Sequence, residues 1–219
     1  MKLHTSKIVM LFALKVVFAL NFASAQEKPP SYFGIQIGTL GAGLQYVKPL
    51  NSRWDLRASA TFLKLTKNRE TISSTLTTKE TIEMRTGGLG IIADYCISKN
   101  TPNWKIAFGA IYQFNKITDS RQYDVEYNDS KVDLGNLSLE FTTFPVSPYA
   151  GFMWGNFKSE KKIIYCLELG TLYHGKPKVL FTGEGRIAPT AELDEIVSEN
   201  VKDYNWYPYL NFQINYKLK

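Results

Sequence analysis

Strict alternation of apolar with small or polar residues limits most strongly what this chain can form. In the clearest segment, Trp104–Phe114, every second side chain is apolar or aromatic, and the residues between them are small, polar or charged except Ile111. A period of two is typical of a β-strand whose two faces meet different surroundings. Three more segments repeat the pattern: Trp54–Phe62, Leu89–Ile97 and Trp206–Leu218. The sequence therefore predicts an all-β, antiparallel protein.

The length of these segments favours strands that cross a membrane. They run for 9 to 13 residues, whereas soluble strands are usually about 5–6 residues long and tilted membrane strands need about 9–11. Aromatic residues near strand ends fit the girdles of a membrane barrel, and we assign this role to Trp54, Trp104, Trp154, Trp206 and Tyr216. We predict an up-and-down transmembrane β-barrel of about eight strands. A soluble barrel or sandwich has the same periodicity and stays open as an alternative.

The turn residues divide the chain into eight candidate strands. These are Gly34–Val47, Trp54–Thr66, Thr81–Ile97, Trp104–Lys116, Leu137–Gly155, Ile163–Tyr173, Lys178–Glu184 and Trp206–Leu218. The polar gaps Lys67–Glu80 and Ile117–Asn136 read as loops, and Pro189–Val201 has the apolar spacing of one short helix in the last long connection. If the short gaps all face the periplasm, one strand is left over, unless Gly34–Val47 splits at Thr39–Gly41 or Lys178–Glu184 lies outside the membrane.

The N-terminus has the layout of a cleavable secretory signal. Lys2 and Lys7 precede an apolar run from Ile8 to Leu20, and Ala23–Ala25 is an A-x-A cleavage site. We predict a signal peptide over residues 1–25 and one barrel domain over 26–219. Cleavage takes away three of the 26 basic residues and none of the 20 acidic ones, which leaves a net charge of about +3. So weak and scattered an excess argues against a nucleic-acid partner.

No residue pattern indicates a reaction or a cofactor. Cys96 and Cys166 are far apart, and the only histidine after the predicted signal is His174, in a Gly-Pro turn where a solvated side chain is expected. No zinc ligand set, phosphate-binding loop or nucleophile motif is found. We expect no catalytic residue, no metal, no cofactor and no enzymatic activity.

The face opposite the aromatic stripes carries four charged residues of interest. If the apolar face is outward, Arg57, Asp94, Lys105 and Glu168 point into the lumen. An eight-stranded barrel is just wide enough for side chains to fill it, and buried charges are costly unless paired. Arg57 and Lys105 are therefore expected to pair with Asp94 and Glu168. The result is a plug of paired charges or, alternatively, a narrow polar path.

Four segments resemble a known family. They are Gly38–Leu44, Ser147–Asn156, Leu167–Val179 and the stretch from Trp206-Tyr207-Pro208 onward. Together they are similar to small, poorly characterised outer-membrane β-barrels of Gram-negative bacteria, eight-stranded and porin-like. That family typically ends on an aromatic residue that the barrel-assembly machinery reads, but here Leu218 takes that place and Lys219 follows. The resemblance implies a fold, a place in the outer membrane and this machinery as a partner during biogenesis.

Three functions from different classes remain open at this point. The first is a structural or surface-interaction barrel with a filled lumen, the second a narrow channel for small polar solutes, and the third a soluble periplasmic ligand-binding barrel. The first two imply contact with outer-membrane lipid, and the second adds a small polar solute as a partner. We expect a monomer. The sequence names no particular ligand.

Overall fold

The computed structural model describes residues 30–73, 76–98, 103–127, 130–157, 162–188 and 199–218. Within them lie eleven strands: β1 (Tyr32–Gly38), β2 (Gly41–Pro49), β3 (Trp54–Ser73), β4 (Leu76–Cys96), β5 (Trp104–Gln113), β6 (Lys116–Tyr127), β7 (Ser130–Thr142), β8 (Val146–Gly155), β9 (Ile163–Tyr173), β10 (Lys178–Gly183) and β11 (Trp206–Lys217). Among the described residues, no helix is long and apolar enough to cross a membrane. The predicted signal peptide lies outside them.

Eight strands close into an antiparallel barrel. The ring runs β1, β2, β3, β4, β5, β8, β9 and β11, and β11 pairs back with β1. The ends at which β2 leads to β3, β4 to β5 and β8 to β9 lie on the same side of the barrel as the start of β1 and the end of β11, and we name this the turn end. The opposite end, which carries the β1–β2 turn and the outer parts of β3 and β4, is the loop end. The predicted all-β, eight-stranded barrel is confirmed.

The β1–β2 turn explains why the first candidate strand was wrong. Gly34–Val47 is two strands, because Gly41 adopts a φ of 102°, a left-handed conformation that favours glycine. A Cβ atom at this position would also come within 2.6 Å of the Phe62 carbonyl oxygen. The chain therefore reverses at residues 39–40, and this added strand replaces Lys178–Gly183, which lies outside the ring, so the ring keeps eight strands.

Strands also continue past the ring at the loop end. Lys67–Glu80 and Ile117–Asn136 were expected to be loops, but the structure extends β3 and β4 through the first and places most of β6 and β7 in the second. Leu137–Gly155 was expected to be one strand and is divided between β7 and β8, while Trp104–Lys116 is divided between β5 and β6. Among the strands that the structure describes, β10 pairs with β7 alone, outside the ring. The outer parts of β3 and β4 join β6, β7 and β10 in a protruding sheet over one side of the barrel.

The helix predicted for Pro189–Val201 falls largely outside the described residues. Residues 199–201 are helical, and residues 185–188 form a short 3₁₀ turn after β10.

Alternation along the ring strands sorts the side chains into two environments. In β11, for example, Leu210 and Phe212 are 46% and 42% exposed, whereas Asn211 and Gln213 between them are buried. Outward residues are mostly large and apolar all round the ring. In the half of the lumen nearer the turn end, inward residues are mostly small or polar. An apolar outer surface is the reverse of a soluble barrel and is typical of a barrel surrounded by lipid.

Candidate functional site

The lumen contains a network of buried charges centred on Arg57. Strand parity brings Arg57 of β3, Asp94 of β4 and Glu168 of β9 to the inside, where each is at most 2% exposed. Arg57 Nη1 donates to Glu168 Oε2 at 2.7 Å, and Arg57 Nη2 donates both to Glu168 Oε1 and, at 3.1 Å, to Asp94 Oδ1. One guanidinium therefore bridges two carboxylates on strands that are not neighbours in the ring.

Glu168 is the most heavily contacted member of this network. Besides Arg57, it accepts hydrogen bonds from the Tyr149 hydroxyl at 2.7 Å, from Gln213 Nε2 at 2.6 Å and from Asn211 Nδ2 at 3.2 Å. Five donors thus reach two carboxylate oxygens. Full hydrogen bonding is what lets an ionised carboxylate persist in so dry a position.

Lys105 does not join this network. The sequence-based expectation paired it with Asp94 or Glu168, but its Nζ atom forms its salt bridge with Asp55 and lies 4.0 Å from the centre of the Phe157 ring. The reason lies in the register, because Asp55 and Asp94 face each other across the β3–β4 pair. Two like charges in that position repel, and separate cations, Lys105 and Arg57, neutralise them.

A ladder of amide side chains extends the network toward β1 and β2. Gln45 Nε2 donates to Gln213 Oε1 at 2.8 Å and to Asn215 Oδ1 at 2.6 Å, and Asn211 Nδ2 donates to Gln36 Oε1 at 2.9 Å. All five amides are buried. The ladder joins strands from both ends of the chain.

An apolar layer fills the lumen on the loop-end side of the charges. It consists of buried side chains from several strands, with Tyr207 packed against them: Leu40, Ile92, Ala107, Ile111, Tyr149, Leu172 and Tyr209. The rings of Tyr149 and Tyr209 meet edge to face, with centroids 5.0 Å apart. Tyr149 belongs to both layers, since its hydroxyl reaches Glu168. The lumen is thus filled by two tiers of different chemistry.

On the turn-end side of the charges the lumen opens into a cavity. It has a volume of about 230 Å³, and Arg57 and Asp94 line it together with Lys105 and the free thiols of Cys96 and Cys166. The Nε atom of Arg57 is buried without a hydrogen-bond partner. Ordered water is the usual partner for such a group in a roomy polar cavity.

His174 sits at the loop end, in the turn after β9. A solvated histidine was expected, and the turn is observed, but the side chain is buried, with its ring centroid 6.5 Å from that of Tyr207. Burial lowers the pKa of this imidazole. Its backbone amide donates to the Asn205 carbonyl at 3.0 Å, which ties the turn to the start of β11.

The aromatic residues assigned to girdles occupy both ends of the barrel wall. Trp54, Trp104, Trp154 and Tyr216 lie toward the turn end, and the Trp104 and Trp154 rings are 6.2 Å apart. Trp206 lies at the loop end, with its ring centroid 4.9 Å from that of Tyr173. They are partly to largely exposed on the outside of the ring.

Sequence reasoning missed several lumen residues. Asp55, Tyr149 and Asn211 each contact a charged group there, and alternation could have identified them because they share parity with their inward neighbours. The apolar upper tier gave no such signal, since inward Ile92, Ile111 and Leu172 contradict the assumption that the lumen face is polar.

The closed ring, its outward apolar surface and its filled interior define the class of fold: a small eight-stranded outer-membrane-type β-barrel. Two solved structures share it. The crystal structure of Acinetobacter baumannii CarO2 has a TM-score of 0.58 and 18% sequence identity, and the match covers 88% of this chain and 100% of that one. The crystal structure of Acinetobacter baumannii CarO has a TM-score of 0.55 and 15% identity, with coverage of 86% and 98%.

This likeness shows the fold alone at these identities, and at that level it confirms the resemblance to small outer-membrane barrels. No protein-family model matches the sequence, and no curated protein matches it.

Proposed function

We propose that this chain is a monomeric outer-membrane β-barrel with a structural or surface-interaction role, and that its lumen does not conduct solutes. The observation that carries the proposal is the two-tier filling of the lumen. Side chains of the charged tier, such as Glu168, and of the apolar tier, such as Leu172, are 0–5% exposed. A hydrated path past Arg57 would have to separate it from two carboxylates.

The location in the outer membrane is supported by the outward surface and by the predicted signal. Outward side chains such as Ile91, Phe108 and Leu210 are about half exposed in a monomer, and a surface of this kind is stable only against lipid or a partner. The predicted cleavable signal at residues 1–25 would direct the chain to the envelope.

A surface-interaction role is supported by the protruding sheet. The side of this sheet that continues the lumen wall carries apolar residues, and a cavity of about 190 Å³ there is lined by Leu137, Leu139, Phe181, Asp119 and Arg121. The proposal assigns no reaction, because Arg57, Asp94 and Glu168 are engaged in ion pairs with one another.

Conductance in planar bilayers tests the proposal. We expect the purified, refolded wild-type protein to insert and to remain electrically silent, while a general porin in the same bilayers gives steps. If the wild type gives regular conductance steps, the protein is a narrow channel and the proposal is wrong. If the protein is folded and monodisperse without detergent, the soluble ligand-binding barrel is the correct alternative.

A further inference from the structure

Four basic residues stand in one row across the outer face of the protruding sheet. Lys64 faces Arg85 in the β3–β4 register, and Arg85 faces Lys116 in the β4–β6 register. Thr142 of β7 faces Lys116 of β6 on one side and Lys178 of β10 on the other. These positions share strand parity with the outward apolar residues below them. We name Lys64, Arg85, Lys116 and Lys178 the basic row.

The basic row lies at the upper edge of the apolar surface. Lys64 follows Trp54 by ten residues on the same face of β3, which is about 33 Å along a strand and about 25 Å in height at a tilt of about 40°. The apolar band of a membrane barrel is about 25 Å tall. The rings of Phe62 and Phe114, 6.3 Å apart, lie directly below the row.

Acidic partners of the row lie on its far side from the apolar band. Lys64 Nζ is 3.2 Å from Glu83, Arg85 also contacts Glu83, and Lys116 Nζ is 2.7 Å from Glu140. Hydrogen bonds from Arg85 and Lys64 lower the pKa of Glu83. The four basic residues exceed these two acidic partners by two positive charges. Along the outer face, in the direction away from the barrel, apolar residues come first, then the basic row, then the acidic residues.

The basic row covers only one side of the barrel. Elsewhere on the same rim, in the β1–β2 hairpin and in β11, Gly38–Leu44 and Trp206–Leu210 contain no Lys or Arg. The Lys64, Arg85 and Lys116 side chains are 44%, 51% and 48% exposed, so each keeps N–H groups free for a further acceptor. Lysine and arginine at the surface of a bilayer attract anionic headgroups, and phosphate oxygens are strong acceptors for both.

We infer that the basic row binds the headgroup phosphates of a phosphorylated lipid in the leaflet next to the protruding sheet. This inference rests on the proposed membrane location. The row would hold such a lipid on one side of the barrel only, so the protein has a preferred lipid-facing side. The acidic residues above the row would keep the phosphates at the level of the apolar boundary by repulsion.

The test compares two triple variants with equal changes in charge. The boundary variant is Lys64→Gln, Arg85→Gln and Lys116→Gln. Phosphorylated lipid A is titrated into detergent-solubilised full-length protein, and bound lipid is counted by native mass spectrometry. We expect the boundary variant to bind at least about tenfold more weakly than wild type. Dephosphorylated lipid A should bind more weakly than lipid A to wild type and equally to all three proteins.

The control variant is Lys67→Gln, Arg69→Gln and Lys79→Gln. These exposed residues lie on the same β3–β4 hairpin but above the boundary, and we expect wild-type lipid affinity. Equal weakening of both variants, or unchanged binding by the boundary variant, would overturn the inference. Insertion of each protein into phosphatidylcholine vesicles is measured in parallel. Failure of the wild type to insert would overturn the proposed membrane location as well, whereas normal insertion with unchanged lipid A affinity would overturn the phosphate site alone.

Discussion

Replacing Glu168 with Gln should destabilise the barrel more than replacing Asp94 with Asn. The substitution keeps the shape but turns one of two acceptor oxygens, which together receive five hydrogen bonds, into a donor. It also leaves Arg57 with Asp94 alone, at 3.1 Å. Breaking a buried ion pair costs about 3–5 kcal/mol, and we expect Glu168→Gln to lower the free energy of unfolding by this amount. Asp94→Asn removes one charged contact and should cost about 1.5–3 kcal/mol.

Urea unfolding in phospholipid vesicles, followed by tryptophan fluorescence, measures both free energies. Glu140→Gln is the matched control, because its ion pair with Lys116 is partly exposed and such pairs contribute about 0–1 kcal/mol. The reasoning is refuted if Glu168→Gln unfolds at the midpoint of Glu140→Gln. It is also refuted if Asp94→Asn costs more than Glu168→Gln, since the contact pattern requires the opposite order.

Three further expectations concern the wall, the thiols and the loop end. Leu210→Lys should block insertion into vesicles at a cost of about 2–4 kcal/mol, whereas Leu180→Lys, similarly exposed but above the barrel, should insert normally; equal behaviour would contradict the orientation of the wall. Cys96 and Cys166 lie on strands separated by β5 and β8, so protein unfolded without reductant should take up two maleimides, and uptake of none would reveal a disulfide. Burial lowers the folded-state pKa of His174, so its neutral form contributes its full stabilisation above the ordinary pKa of about 6.5, and the free energy of unfolding should fall as pH drops below that value. His174→Gln should remove part of this fall, and an unchanged pH profile of the variant would contradict the role of His174.

Strand parity alone could place much of the candidate site. Arg57, Asp94 and Glu168 alternate with outward residues along their strands, so the side of the wall they occupy follows from a period of two. Which charges meet could not be predicted in this way. Lys105 pairs with Asp55 because of the β3–β4 register and the tilt of the strands, and neither quantity is encoded in one strand's own pattern.

The extension of β3 and β4 was missed for a different reason. Beyond the apolar band both faces of these strands meet water or other polar groups, so Lys67–Glu80 loses its alternation and resembles a loop in composition. Its hydrogen bonds nevertheless continue without a break from Phe62 to Ser73. Polar composition therefore reports the surroundings of this hairpin and not its backbone conformation.

The pairing of β1 with β11 has a consequence for how the chain folds. Asn211 and Gln36, which are hydrogen-bonded across this seam, are 175 residues apart in the sequence. The ring therefore cannot close before the last strand is available, and joining such distant segments makes folding slow. A slip of β11 by one residue would turn Asn211 toward the outer surface and separate it from Gln36. The buried amides therefore favour a single register of the last strand as the barrel closes.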